Sequence, residues 1–122
     1  MSQDSFKDFA LDQLAGLEGL HCKGMFGGYG LYQDHVFFAI IHQDRLYFKT
    51  DKLSRREYIK YKCKPFRPRA KQTLKTYYEV PLEILEDQKQ ILVWAQNAIR
   101  AAEGKFPPLT TLSAAPSRNR GV

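Results

Sequence analysis

The sequence is poor in cysteine and contains no long apolar run. Its 122 residues include two cysteines, Cys22 and Cys63, which match neither a CxxC pair nor a Cys/His ligand spacing. This pattern argues against a disulfide framework and against a structural zinc site. No stretch approaches the roughly 18 apolar residues that cross a bilayer, and the first residues carry acids where a signal peptide is basic. We therefore expect a cytoplasmic protein with no membrane segment, no metal and no cofactor.

A phosphate-binding loop is also missing, although three glycines stand close together in MFGGYGLY, residues 25–32. A P-loop requires GxxxxGK followed by Ser or Thr at a helix start, and a dinucleotide fingerprint requires GxGxxG between a strand and a helix. Neither motif is present, and Gly27, Gly28 and Gly30 are followed by β-patterned residues. Because glycine permits positive φ, the segment predicts a tight bend or bulge between strands.

No group of side chains in the sequence indicates catalysis. His21, His35 and His42 are separate from one another, and no serine or cysteine stands in an activating context with them. The acids within residues 79–87 lie before and inside a predicted helix, where the positive end of the helix dipole accounts for them. We therefore predict that the protein is not an enzyme.

The hydrophobic pattern of the first half predicts one helix followed by a β-meander. In residues 5–18 apolar residues recur every three or four positions, which indicates an amphipathic helix with Ser5 in a capping box. From Leu20 onward the period changes to two, and YGLYQD, VFFAIIHQ and RLYFKT contain β-rich runs that are separated by the turn residues QDH and QD. Such short connections require antiparallel neighbours, and the wholly apolar VFFAII predicts a central strand covered on both faces.

A short middle helix and a second hairpin are predicted next. The helix lies in DKLSRREYIKYK, where Asp51 or Ser54 can cap its start. The residues expected to pack this helix against the sheet are Tyr58, Ile59 and Tyr61. Two extended segments follow in PFRPRAKQTLKTYYEV. The prolines of the first segment limit it to a sheet edge or a bulged position, because proline cannot donate to the ladder.

The last part of the chain predicts a closing helix and a tail. Pro81 fits the first position of a single helix, Trp94 lies beside its apolar stripe, and Gly104 fits the C-terminal cap. Residues 105–122 are rich in Pro, Ser and Thr without periodicity, which predicts a disordered tail. We thus expect one α+β domain over residues 1–104. Its single antiparallel sheet combines a meander of about four strands with the second hairpin, and N-terminal, middle and C-terminal helices pack against it.

The net charge of +6 is concentrated in one segment of the chain. Residues 52–75 contain ten basic residues and one acidic residue, and aromatic residues stand among them. This mixture can bind phosphates by charge and bases by stacking. The candidate nucleic-acid-binding residues are Arg55, Arg56, Lys60, Lys62, Lys64, Arg67, Arg69, Lys71 and Lys75. The alternative, which the sequence leaves open, is that these cations protect an edge hairpin from strand-to-strand aggregation.

An ordered set of phrases resembles the N-terminal domain of TfoX/Sxy proteins, bacterial regulators associated with natural competence. The phrases are MFGGYGLY, FFAII, LYFKTD, KPF, YYEVPLEILED and WAQNAIRAA, and they span roughly residues 5–103. The family-motif residues, whose types build bends and cores, are Met25, Phe26, Gly27, Gly28, Gly30, Tyr32, Tyr78, Glu79, Pro81 and Trp94. Further residues that match the motif are Tyr47, Lys49, Pro65 and Phe66.

This resemblance implies an α+β domain and a regulatory or adaptor role without catalysis. TfoX-type proteins act with a transcription factor, so the expected partner is a protein of the transcription machinery. The alternative that the residues support is a nucleic-acid-binding module that uses the basic segment 52–75. A homodimer through an open sheet edge is a further expectation. A contact between Lys49 and Glu79 on neighbouring strands is also expected.

Overall fold

The computed structural model describes residues 3–25, 27–69 and 72–104. The predicted tail, together with Phe26 and Lys71, lies outside the described residues, so the division into domain and tail stays a prediction. The elements in chain order are α1 (Gln3–Gln13), β1 (Leu20–Met25), β2 (Gly28–Gln33), β3 (Val36–His42), β4 (Arg45–Lys49), α2 (Arg55–Lys60), β5 (Pro65–Arg69), β6 (Gln72–Glu79), α3 (Leu82–Leu85) and α4 (Gln88–Ala102). None of the helices in these described stretches is long and apolar enough to cross a membrane.

The strands form one six-stranded antiparallel sheet in the order β1-β2-β3-β4-β6-β5. The first four strands are the predicted meander, and β5 and β6 are the predicted second hairpin. The α+β fold class is therefore confirmed. Strand β3 lies inside the sheet, and β5, which contains Pro65 and Pro68, lies at an edge. Proline is tolerated at an edge because the outer side of the strand has no neighbour that needs a backbone N–H donor.

The glycine-rich segment forms the bend between β1 and β2, as predicted. Met25 is paired with Gly28 at the end of this hairpin, and Gly27 in the turn has a φ of 74°, which a residue with a side chain rarely adopts. At Gly28 a Cβ atom would lie 2.1 Å from the carbonyl oxygen of Ile41, so only glycine allows β2 to approach β3 this closely. The glycines thus serve the architecture of the sheet.

The two faces of the sheet are covered differently. The main core combines helix residues with strand residues such as Phe38, Ala39 and Ile41. A second buried cluster contains only strand residues, namely Ile40, Tyr47, Phe66 and Tyr77. We call the side of this second cluster the open face, because it is formed by strand residues alone in the part of the chain that the structure describes. The prediction that β3 is covered on both faces holds in part: Ile41 is buried under helix residues, whereas Ile40 on the open face is buried among strand residues alone in the described part of the chain.

The first helix differs from its prediction at both ends. It begins at Gln3, so Ser5 lies inside the helix and cannot be its cap. It ends at Gln13, and Leu14 and Leu17 are buried from the turns that follow. Phe9, which the periodicity places on the apolar stripe, is 40% exposed. The apolar residues of this segment therefore enter the core from the turns after the helix as well as from the helix itself.

Helix α2 forms where predicted, but it packs through fewer residues. Tyr58 is buried, whereas Ile59 is 58% exposed and Tyr61 is 40% exposed. Six helical residues make fewer than two turns, so a single side chain is enough to cover the contact with the sheet. Asp51 and Ser54 stabilise the start together, because each side chain accepts a hydrogen bond from the backbone N–H of the other.

The predicted closing helix is two helices. Pro81 precedes α3 as its N-cap, and the chain turns again at Asp87 before α4 begins. The Asp87 carboxylate accepts hydrogen bonds from the backbone N–H groups of Gln90 and Lys89, which lower its pKa and fix the start of α4. The side-chain cap at Asp87 starts a new helix there, although the apolar periodicity continues across the break.

Candidate functional site

A cleft of about 700 Å³ opens where the connection between α2 and β5 meets β4, β6 and the start of α3. Its charged lining residues are Arg45, Lys62, Lys64, Arg67, Glu79 and Glu83. Its lining residues with aromatic or apolar side chains are Tyr47, Tyr61, Pro65, Val80, Pro81 and Leu82. Tyr61 and Leu82 are exposed, so a bound segment could cover them. The cleft therefore combines excess positive charge with accessible apolar surface.

The end of α2 places two of these cations. The backbone N–H of Cys63 donates to the carbonyl of Tyr58 at 3.0 Å, and that of Lys62 donates to the carbonyl of Ile59 at 2.9 Å. This is the Schellman pattern, in which the residue after the C-cap takes a left-handed conformation. Lys62 holds that conformation, with a φ of 60°, where glycine is usual. The turn directs residues 62–64 along the wall of the cleft.

An ion pair between Arg45 and Glu79 also lines the cleft. The Nη1 atom of Arg45 is 2.8 Å from Oε2 of Glu79, and the hydrogen bond and charge of Glu79 raise the pKa of the guanidinium. Burial and the same carboxylate raise the pKa of Tyr47. Because the Arg45 side chain is 58% exposed, the pair contributes little to stability. It is accessible to a charged group of a partner.

The expected contact between Lys49 and Glu79 is not formed. Lys49 is in register with Tyr77, its Nζ atom donates to Oγ1 of Thr76 at 3.0 Å and lies 5.2 Å from the centre of the Tyr77 ring. Glu79 pairs with Arg45 instead. The hypothesis failed because the sequence does not show the register of β4 against β6.

The single cysteine of the cleft is not an activated nucleophile. Burial, followed by the charges of Glu79 and Glu83, raises the pKa of the Cys63 thiol to about 11. At neutral pH the thiol is therefore protonated, and the thiolate is the form that reacts. No group of three or more His, Cys, Asp or Glu side chains within the described stretches could hold a metal ion.

The three histidines lie away from this cleft. His21 contacts the backbone carbonyl of Asp34 and the ring of Tyr32, and the ring of His42 packs against Phe66. His35 is in the turn between β2 and β3. The histidines therefore do not converge with Glu79 in a common pocket.

The structure brings three of the nine candidate nucleic-acid-binding residues into the cleft, Lys62, Lys64 and Arg67. On α2, Lys60 pairs with Glu57 at 3.3 Å. The Nε atom of Arg55 donates to Oγ1 of Thr50, and its guanidinium lies over the ring of Tyr78. Two further candidate residues, Arg56 on α2 and Lys75 on β6, are exposed. The side chain of Arg69 lies outside the part that the structure describes.

Sequence reasoning missed Arg45 as part of this site. It lies outside the basic segment, at the start of β4. Of the acids that line the cleft, Glu79 alone is expected from the sequence to make a polar contact. A usable signal was present, because Arg45 stands two residues before the motif residue Tyr47 and therefore on the same face of the strand. Tyr47, Pro65, Glu79 and Pro81 all line the cleft.

An open antiparallel sheet with helices on one face and a mixed cleft at one end defines a small α+β domain with a surface suited to binding. The family model of the TfoX N-terminal domain matches residues 12–102. The match covers most of the chain, so this protein belongs to the TfoX N-terminal domain family, and the resemblance seen in the sequence is confirmed. A search among curated proteins found no match.

Proposed function

We propose that this domain is a non-catalytic regulatory or adaptor domain that binds a protein partner of the transcription machinery in the cytoplasm. The supporting observation is that four family-motif residues, Tyr47, Pro65, Glu79 and Pro81, meet in one cleft although they come from distant parts of the chain. These four residues of the family motif therefore lie together at one place on the surface. A role in competence is part of the same proposal and follows from the family.

The lining of the cleft favours an acidic segment with apolar side chains as the bound part of the partner. Four cations face two carboxylates there, and Arg45 already holds a carboxylate at 2.8 Å. Leu82, which is 64% exposed, offers an apolar contact in the lining of the same cleft. Opposite charge would speed association and set orientation, and the apolar contact would supply much of the affinity.

The absence of catalysis is supported by the chemistry of the cleft. The Cys63 thiol is protonated at neutral pH, and the histidines lie elsewhere in the described part of the chain. The remaining charged groups are suited to ion pairs with a partner. An enzyme would need a nucleophile beside a base, with donors aimed at the reacting atom.

A pair of charge-reversal variants tests the proposed site. Lys62→Glu with Lys64→Glu should reduce, by at least about tenfold, the capture of the partner that the wild-type domain captures from cells that express it. The matched control is Lys75→Glu, which reverses a surface cation of β6 outside the cleft lining. Equal capture by all three proteins would show that the cleft does not bind the partner.

A nucleic-acid-binding module that uses the basic segment 52–75 is the second candidate function. The observation that favours it is that Lys62, Lys64 and Arg67 line one cleft beside the exposed ring of Tyr61. Duplex DNA should then bind with an affinity that falls steeply with salt and is lost in Lys64→Glu with Arg67→Glu. Absence of binding at about 50 mM salt would exclude this candidate.

A homodimer is proposed through β1, the less protected edge of the sheet. The six residues of β1 include no proline and one lysine, whereas β5 at the other edge carries Pro65 and Pro68. Edge strands without such protection are templates for pairing with another chain. The mass of the protein in solution, measured by light scattering over a range of concentrations, tests this expectation.

A further inference from the structure

The open face of the sheet carries a row of aromatic rings that the proposed function does not use. The ring centres of His21 and Tyr32 are 5.6 Å apart, those of Tyr32 and Phe37 are 5.2 Å apart, and those of Phe37 and Tyr77 are 5.7 Å apart. We call these four residues the aromatic row. His21 is exposed, and Tyr32 and Phe37 are half-buried, so the β1 to β3 end of the row is accessible.

An irregularity in the sheet brings Phe37 into the row. Tyr32 is paired with Phe37, but Leu31 is paired with Ala39, so β3 contains one extra residue at this point. Phe38 and Ala39 consequently both belong to the main core, and Phe37 turns to the open face. Gly30 leaves the space for it, because a Cβ atom there would lie 3.0 Å from the ring of Phe37.

Positive charge accompanies the rings. The Nζ atom of Lys23 lies 5.1 Å from the centre of the Tyr32 ring, and that of Lys49 lies 5.2 Å from the centre of the Tyr77 ring. The only carboxylate in the six strands is that of Glu79, and Arg45 pairs with it. A ligand of this face would therefore meet aromatic surface and the ammonium groups of Lys23 and Lys49 together.

We propose that the open face binds single-stranded nucleic acid, with bases against Tyr32 and Phe37 and a phosphate at Lys23. A single strand can turn its unpaired bases toward aromatic side chains, and each base has a face that can stack. A duplex hides those faces and presents mainly its phosphates. The accessible rings thus select the single-stranded form, and this inference is independent of the proposed function, because it uses no residue of the cleft.

Fluorescence anisotropy of labelled oligonucleotides tests the inference on the full chain. The probes are oligo(dT) and oligo(U) of about 12 nucleotides and a DNA duplex of similar length, at about 50 and about 200 mM salt. At least one single strand should bind about tenfold more tightly than the duplex. Tighter binding of oligo(U) identifies RNA as the ligand, and tighter binding of oligo(dT) identifies single-stranded DNA.

Two variants separate stacking from charge. Tyr32→Leu removes the ring but keeps apolar bulk, and it should weaken binding of the preferred strand about tenfold. Lys23→Gln removes one exposed cation and should lower the salt dependence by about one phosphate contact, a slope change of about 0.7. If Tyr32→Leu does not fold, as judged by its thermal melt, His21→Ala on the exposed β1 edge takes its place.

The controls keep the open face and alter other surfaces. Lys89→Gln removes an exposed cation from α4, and Phe9→Ala removes an exposed ring from α1, and both should bind the preferred strand within about twofold of wild type. The inference is wrong if neither single strand binds at about 50 mM salt or if the duplex binds equally well. It is also wrong if Lys62→Gln with Lys64→Gln, which changes the cleft, abolishes binding while Tyr32→Leu and Lys23→Gln leave it unchanged.

Discussion

The two faces of the sheet are built from similar residues but are buried to different degrees. On the helix-covered face, Phe38 and Phe48 are fully buried between strands and helices. On the open face, Phe37 and Tyr32 are partly accessible, and two lysine ammonium groups lie over aromatic rings of that layer. Neighbouring phenylalanines of one strand therefore lie in different environments. The comparison shows that aromatic content alone does not distinguish a buried core from an accessible face.

The largest expected effect compares these two neighbours directly. Phe38→Ala should lower the free energy of unfolding by about 4 kcal/mol, because it leaves a cavity in the main core. Phe37→Ala should cost about 2 kcal/mol, since this ring is half-buried on the open face. Urea denaturation of both variants measures the difference. Equal losses would mean that the open face is as much a core as the other.

A substitution at Gly28 should disturb both faces at once. In Gly28→Ala the added methyl group would lie 2.1 Å from the carbonyl oxygen of Ile41, so β2 and β3 would have to separate. We expect a loss of about 3 kcal/mol in the free energy of unfolding. Gly24→Ala on the adjacent strand is the matched control, because its nearest neighbour would be 3.9 Å away. A Gly28→Ala protein as stable as the control would contradict the close approach.

An ion pair sets the pH dependence of the helix-covered side. Arg100 is buried, and its Nη1 atom lies 2.8 Å from Oδ2 of Asp51. Burial raises the pKa of Asp51, but hydrogen bonds from Ser54 and Arg100 outweigh it, and the net pKa is lowered. Because the folded pKa is below the unfolded one, the pair stabilises the protein above about pH 4. This stability is lost as the pH falls through the folded pKa.

Asp51→Asn should therefore cost about 2 kcal/mol at neutral pH, since it removes the carboxylate charge that pairs with the buried guanidinium of Arg100. The loss should shrink as the pH is lowered below about 4, where the wild type loses the same interaction. Thermal melts of both proteins between neutral and acidic pH check this. A constant difference across that range would show that the ion pair is not the cause.

The smallest expected effect concerns the cleft at the end of the open face. Lys62 has a φ of 60°, and Lys62→Gly should raise the free energy of unfolding by about 0.7 kcal/mol. Lys60→Gly, inside α2, should lower it by a similar amount. If the cleft binds the partner as proposed, Lys62→Gly would gain stability and lose affinity. Destabilisation by Lys62→Gly would refute the strain at this turn.

Much of the fold could be predicted from local patterns. The alternation in residues 28–49 and the two-residue connections predict the meander, because short links allow only antiparallel neighbours. The break at Asp87 was missed, since the apolar stripe continues on both sides of it. The exposure of Ile59 and Tyr61 was missed because a short helix buries less than its composition suggests.

The candidate site was predictable only in part. The charge of Lys62, Lys64 and Arg67 is visible in the sequence, but their common location with Arg45 and Glu79 depends on how β4 pairs with β6. The wrong pairing of Lys49 with Glu79 shows the same difficulty. Register is a long-range property, because the paired residues are separated by about thirty positions of chain.

The amino-acid sequence by itself determined which segments are strands, that the glycines near residue 27 make a bend, and where the positive charge lies. These properties follow from local periodicity, backbone freedom and residue type, which act over a few neighbouring positions. Only the tertiary structure decided that Phe37 faces outward while Phe38 faces the helices, and that Arg45 joins the cleft. The reason is that strand register, bulges and helix placement are fixed by contacts between residues distant in the chain, and each of them changes which side chains share a face.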